Sequence, residues 1–96
     1  MIIPDLNLLM YAYNPGAKLH DKAKAWWEEL LGGGKSVGIP WIVVVGFVRL
    51  STTRGVLSEA VVPSEAVRRV ERWEAQPGVV FLNPGPRHLH FLRETL

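Results

Sequence analysis

Asp5 and Asn7 are the residues of this 96-residue chain whose types and spacing most clearly permit chemistry. Asp5 ends a short apolar run, "IIP", and a second apolar run follows Asn7. A carboxylate in this position can supply a hard oxygen ligand to Mg²⁺ or Mn²⁺, and the Asn7 amide can orient it from outside the coordination shell. It can equally cap the helix that follows, which is a common role of aspartate. The residues alone leave both roles open.

Arg49 and Thr52 form a second pair of candidates, because they follow an apolar run that precedes a polar loop. A guanidinium group binds phosphate by its fork of N–H donors, so Arg49 and Thr52 could contact a phosphate-bearing substrate. Arg49 could also be a last-turn cation that interacts with the helix dipole. The three histidines, His20, His88 and His90, lack the spacing that places two ligands on one helix face. They are interpreted as surface or partly buried polar residues.

The composition predicts one small globular domain over residues 1–96. Apolar residues make up 48% of the chain, and the net charge of +2 permits a nucleic-acid partner without requiring one. The chain has no cysteine, which excludes disulfides and cysteine catalysis and fits a cytoplasmic location. We find no signal-peptide pattern, and the longest apolar run is shorter than the roughly 20 residues that a membrane span needs. A soluble protein without membrane contact is therefore expected.

Short strands alternate with helices along the chain. Apolar pairs and β-branched runs predict strands, and apolar residues recurring at helical spacing between Gly and Pro signals predict helices. The run "PWIVVVGFVRLSTT" is ambiguous because its β-branched residues favour a strand, but its length and its leading proline favour a buried helix. The expected strands are residues 2–3, 37–39 and 79–82, and the expected helices are residues 6–13, 19–31, 40–53, 63–76 and a last one from Arg87.

This alternation predicts an α/β domain with a parallel sheet. Parallel sheets place ligand sites outside the carboxyl ends of their strands. Asp5 follows the first predicted strand directly, so we expect it at such a site.

Four segments together resemble the PIN-domain ribonuclease toxins of the VapBC toxin–antitoxin type: "MIIPDLNLLMYAY", "HDKAKAWWEELL", "VGIPWIVVVGFVRLSTT" and "NPGPRHLHFLRETL". The resemblance implies a three-layer α/β/α sandwich with a parallel sheet. It also implies an endoribonuclease site that uses Mg²⁺ or Mn²⁺, an inhibitory antitoxin partner, an RNA substrate and commonly a homodimer or higher oligomer. Asp5 matches the first metal-binding aspartate of this family, and Asn7 matches the asparagine beside it.

The sequence departs from the family pattern at two places. Gly46 stands where many members carry a second acid, and we interpret this glycine as serving close helix packing. The later acidic residues of the family follow the helix that begins near Arg87, and this chain ends at Leu96. The resemblance therefore implies roughly the first two-thirds of such a domain, incomplete at its C-terminus, with weak or no cleavage by the 96-residue chain. The alternative is a non-catalytic PIN-like module that binds an antitoxin or RNA.

Overall fold

A computed structural model describes residues 1–83 of the chain. The elements confirm the predicted alternation, and the ambiguous apolar run is a helix. In chain order they are α1 (Leu6–Ala12), α2 (His20–Gly32), β1 (Val37–Pro40), α3 (Trp41–Ser51), α4 (Pro63–Glu74) and β2 (Val79–Leu82). The predicted helix from Arg87, with His88 and His90, lies outside the described residues. Within residues 1–83, no helix combines the length and the apolar character needed to cross a membrane.

The strands form a parallel sheet, as predicted. β1 and β2 pair in parallel from Val37 opposite Val79 to the ends of both strands. Ile2 adds a single parallel bridge on the other side of Val37, so the predicted strand over residues 2–3 is reduced to one residue. The reason is local, because Pro4 has no N–H group to continue the ladder.

The helices cover one face of this sheet. Side chains alternate between the faces of a strand, and Val37 and Ile39 are both fully buried in the core cluster formed with the helices. On the opposite face, Ile3 and Val80 are 58% and 51% exposed. The described part of the chain therefore has two layers, and the third layer of the predicted sandwich stays a prediction.

Four aromatic rings form the centre of the core. Trp73 is fully buried, and its ring centroid lies 4.6 Å from that of Phe47 and 5.4 Å from that of Trp27. The Trp73 Nε1–H donates to the Tyr13 hydroxyl at 2.8 Å, and the Tyr13 ring contacts Phe47 edge to face. This cluster joins α2, α3 and α4 to Tyr13, the residue directly after α1, so it fixes the arrangement of the helices.

Two predicted helix faces differ from the structure. Helix α3 was predicted to be buried, but one of its sides is exposed, and there Trp41 and Val45 are 46% and 42% exposed. The helical spacing of α4 predicts that Val67 faces inward and Arg69 outward. In the structure Val67 is 46% exposed, whereas the Arg69 side chain is only 18% exposed. The Arg69 guanidinium lies 5.0 Å from the centroid of the Tyr13 ring, an attractive cation–π contact that accounts for its burial.

Replacing Gly78 by alanine is expected to destabilise the fold by about 1–3 kcal/mol, because the new Cβ would clash with the Lys35 carbonyl oxygen. The clash cannot be relieved by a rotamer change, since the oxygen belongs to the backbone. The Gly78 carbonyl also accepts a hydrogen bond from the Val37 N–H at 2.8 Å, which ties this turn to β1. Urea denaturation measures the effect. Gly32→Ala is the control, because among the described residues no atom outside the neighbouring backbone of its own helix lies within 4 Å of a Cβ there. Equal midpoints for the two variants would contradict the argument.

Candidate functional site

Asp5 lies at the carboxyl edge of the sheet, where a ligand site of a parallel sheet is expected. The Ile2 N–H donates to the Ser36 carbonyl and the Gly38 N–H donates to the Ile2 carbonyl, both at 2.9 Å, which aligns this segment with β1. Pro4 is buried and carries the chain out of the sheet. Asp5 keeps an extended backbone, with φ −79° and ψ 142°, and α1 begins at the next residue. The side chain is exposed, so its carboxylate faces solvent.

The Asp5 carboxylate caps α1 through one oxygen and can still accept or coordinate through the other. Oδ1 accepts a hydrogen bond from the Asn7 backbone N–H at 3.4 Å, which is long for such a bond. Within the described residues this is the one hydrogen bond that the carboxylate makes. The helix-capping role is therefore observed, and it does not exclude a metal, since a carboxylate accepts at both oxygens. Metal binding by Asp5 stays a prediction.

Asn7 contributes its backbone, rather than its side chain, to the contact with Asp5. Its side chain is exposed on the first turn of α1, and it forms no hydrogen bond with other described residues. The role of the Asn7 amide in orienting Asp5 stays a prediction.

Gly46 brings α3 against the start of α1. A Cβ at Gly46 would lie 2.8 Å from Cδ2 of Leu6, the residue that follows Asp5. Side-chain carbons do not approach that closely, so the absence of a side chain permits this contact. The interpretation of Gly46 as a close-packing residue is confirmed. Where α3 contacts Leu6 it therefore presents a glycine, which offers no side-chain ligand atom.

The structure places Arg49 and Thr52 at the C-terminal end of α3. The Thr52 hydroxyl lies 3.0 Å from the carbonyl oxygens of Val48 and Arg49, so it contributes to the helix end. Arg49 is exposed and lines an apolar groove together with Glu71 and Glu74 of α4. Within residues 1–83, no hydrogen bond or ion pair joins either residue to Asp5. Their predicted contacts with substrate stay predictions.

His20 agrees with its interpretation as a partly buried polar residue. Its Nδ1 lies 2.9 Å from the Tyr11 carbonyl oxygen, which ties the start of α2 to the end of α1. The ring has intermediate exposure, and nothing in this geometry indicates a ligand role.

The described residues do not form a complete metal site. Across residues 1–83, no group of three or more His, Asp or Glu side chains is close enough to hold a metal ion. Mg²⁺ demands an octahedral shell of oxygen atoms and is usually bound through one or two carboxylates and substrate phosphates. Asp5 fits the part of one such ligand, and the described residues do not complete a group of three around it.

Sequence reasoning missed the apolar groove on α3 and α4. The groove is lined by Arg49, Trp41, Val45 and Val67. The helical spacing of the apolar residues in α3 and α4 predicts that Trp41, Val45 and Val67 face the core. The sequence of α3 nevertheless contains a signal for an exposed apolar surface. The helix carries apolar residues on every side, which is more apolar surface than one neighbouring layer can cover.

Comparisons with known proteins find similar sequences among ribonucleases of Mycobacterium tuberculosis. No protein-family model matches it. Ribonuclease VapC33 of Mycobacterium tuberculosis is 40% identical over 89 residues, which covers 93% of this chain and 62% of VapC33. Ribonuclease VapC37 of the same organism is 34% identical over 96 residues, covering 100% of this chain and 67% of VapC37. Ribonuclease VapC43 is 32% identical over 94 residues, covering 98% and 64%. The chain thus spans less than two-thirds of the length of VapC33.

Proposed function

Because this chain belongs to the family of VapC ribonucleases, we propose that it acts as the toxin of a toxin–antitoxin pair and cleaves RNA. The observation that carries the proposal is identity of up to 40% across nearly the whole chain to proteins named as ribonucleases. The position of Asp5 supports it independently. An exposed carboxylate at the carboxyl edge of a parallel sheet is where an α/β enzyme places its chemistry.

The proposal includes Mg²⁺ or Mn²⁺ as the cofactor, with Asp5 as one ligand. A bare carboxylate repels the phosphate groups of RNA, so Asp5 favours an RNA substrate only when a cation lies between them. We further infer that the ligand set is completed from outside residues 1–83, since the described residues form no group of three or more metal-binding side chains.

The geometry also supports a specific task for the residues around Asp5. The cap of α1 and the contact of Leu6 with Gly46 position the backbone of Asp5 at the edge of the sheet. A ligand fixed in this way loses little conformational entropy when it binds a cation. Asn7, Arg49 and Thr52 are proposed as orienting or substrate-contacting residues.

The remaining features of the proposal follow from the family. We propose an inhibitory antitoxin protein as a partner, self-association of the chain, a cytoplasmic location and a PIN-type three-layer sandwich. The face of the sheet that carries Ile3 and Val80 supports the third layer, because both side chains are more than half exposed there. Apolar surface of this kind is usually covered.

A non-catalytic module that binds RNA or an antitoxin is the second candidate. It is favoured by one observation, that residues 1–83 form no group of three or more metal-binding side chains. Cleavage decides between the two candidates. The protein expressed from its own reading frame should cut RNA when Mg²⁺ or Mn²⁺ is supplied and should stop when the metal is chelated. RNA binding without cleavage would contradict the proposed activity and support the module.

The 96-residue chain by itself is expected to bind Mn²⁺ weakly, with a dissociation constant on the order of millimolar, because one carboxylate offsets little of the charge of the ion. Titration calorimetry measures this. The heat should disappear in Asp5→Asn and persist in the control Asp21→Asn, which alters an exposed acid on α2. Equal heats for the two variants would contradict the assignment of Asp5 as a ligand.

A further inference from the structure

Helix α4 carries three arginines around a single carboxylate. The Nη1 atoms of Arg68 and Arg72 lie 3.5 and 3.7 Å from the carboxylate oxygens of Glu65. Nε of Arg69 lies 3.6 Å from the same carboxylate. Within residues 1–83, no other acidic side chain forms an ion pair with these arginines. One negative charge therefore faces three positive charges, which leaves an excess of two positive charges on this side of α4.

The three arginines differ in what they can still bind. Arg69 is held against the Tyr13 ring, 5.0 Å from its centroid, and its side chain is only 18% exposed. The side chains of Arg68 and Arg72 are 64% and 66% exposed. Each of these two uses one nitrogen in its ion pair, so most of its five N–H donors remain available to a ligand. We call Arg68 and Arg72 together the arginine face.

The arginine face is a compact positive surface. Helix positions four apart are neighbours, with Cβ atoms roughly 5–6 Å apart, so the two guanidinium groups can act on one ligand. Glu65 lies within ion-pair distance of both and restrains where they lie. The other acids of α4, Glu71 and Glu74, line the apolar groove, which none of the three arginines lines. The helix therefore presents its excess positive charge on a side separate from that groove.

We propose that the arginine face binds the phosphate backbone of the RNA substrate, at a site additional to Asp5. This inference rests on the proposed ribonuclease function and adds where the RNA is held. Cations that neutralise phosphates supply the sequence-independent part of the affinity for a nucleic acid. Asp5 is an anion and cannot supply that part, whereas a guanidinium group binds a phosphate through two parallel N–H···O hydrogen bonds.

The side chains of α4 favour RNA over a protein as the ligand of the arginine face. Contact surfaces between proteins have an apolar centre. Among residues 63–74, Val67 is the one large apolar side chain that is exposed, and it lines the apolar groove instead. A strand of RNA needs no apolar centre here, because it offers one negative charge per nucleotide.

Replacing both arginines of this face by glutamine tests the proposal. The protein expressed from its own reading frame also carries Asp5→Asn, so that the RNA stays intact, and divalent cations are left out. Fluorescence anisotropy measures binding of a labelled single-stranded RNA oligonucleotide at several salt concentrations. We expect Arg68→Gln with Arg72→Gln to lower the affinity roughly tenfold. The slope of log K against log salt should become shallower by about 1.4, which is about 0.7 for each phosphate no longer neutralised.

A matched control removes two exposed cations outside α4. Lys22→Gln with Lys35→Gln makes the same change in net charge and should alter the slope by less than half as much. Circular dichroism confirms that each variant is folded. The proposal is overturned if the arginine variant binds RNA with the affinity and salt slope of this control. It is also overturned if the protein binds polyglutamate as tightly as RNA, which would indicate an acidic protein as the ligand.

A failure of the proposed function gives a different result. A protein that binds RNA through the arginine face but does not cut it contradicts the ribonuclease activity and leaves the binding result intact. Where Asp5 is kept and RNA is cleaved, the arginine variant should raise KM and leave kcat unaltered, because the lost contact is made equally in the ground state and the transition state. A fall in kcat with KM unchanged would contradict a role in holding the backbone.

Discussion

Replacing Asp5 by asparagine is expected to abolish RNA cleavage while leaving the stability of the fold nearly unchanged. Asparagine keeps a side-chain oxygen that can accept the Asn7 N–H, and it caps helices about as well as aspartate does. It removes the negative charge through which the proposed cation is held. Loss of a residue that merely orients a metal ligand costs roughly 10- to 100-fold in activity. Loss of the ligand's own charge should therefore lower the cleavage rate by at least about 100-fold.

Asp5→Ala separates the two roles of this side chain. It should lose the same activity and also destabilise the fold, by about 0.5–1 kcal/mol, because the cap is removed. We expect a loss at the low end of the range for removal of a helix cap, since the hydrogen bond from the Asn7 N–H is 3.4 Å long. Urea denaturation of both variants measures the difference. An asparagine variant that unfolds as readily as the alanine variant would contradict the capping argument.

Replacing Trp73 by alanine is expected to have the largest effect on stability, about 3–5 kcal/mol. Trp73 is fully buried and contacts the rings of Phe47 and Trp27, so its removal leaves a large cavity at the centre of the core. The Tyr13 hydroxyl also loses the hydrogen bond that it accepts from the Trp73 Nε1–H. Domains are stable by only about 5–15 kcal/mol, so a substantial unfolded population is expected at ambient temperature.

Two further variants test why Trp73 matters. Trp73→Phe keeps most of the ring volume and removes the hydrogen bond to Tyr13, so it should be destabilised much less than Trp73→Ala. Trp26→Ala removes an indole that is only partly buried, beside Trp27, and should also have a smaller effect. The midpoints of urea denaturation rank the three variants. A Trp26→Ala protein less stable than Trp73→Ala would show that the core is centred elsewhere.

The local signals of the sequence predicted the order of elements well. α2 was predicted from a regular apolar stripe closed by three glycines, and its buried residues Ala23, Trp27 and Leu30 lie on that stripe. The position of Asp5 was predicted for a similar reason, because a proline after two apolar residues marks the end of a strand. These features depend on neighbours in the chain.

The features that depend on distant neighbours could not be predicted. α3 is apolar on every side, so its pattern does not tell which side meets β1 and which remains exposed with Trp41 and Val45. Arg69 is held between the Tyr13 ring and Glu65, and Tyr13 is far from it along the chain. The same limit applies to the site. The sequence located Asp5, but which side chains come close to it is decided by the packing of α1 against α3.

The rate of RNA cleavage in a matched pair of variants tests the central claim most directly. The protein expressed from its own reading frame is compared with Asp5→Asn and with Asp21→Asn, in the presence of Mg²⁺ or Mn²⁺. Both variants remove one exposed carboxylate near the start of a helix, so they share any general effect of charge. We expect Asp21→Asn to cleave RNA at the wild-type rate and Asp5→Asn to be slower by at least about 100-fold. Equal rates for the two variants would contradict the claim that Asp5 belongs to a ribonuclease site.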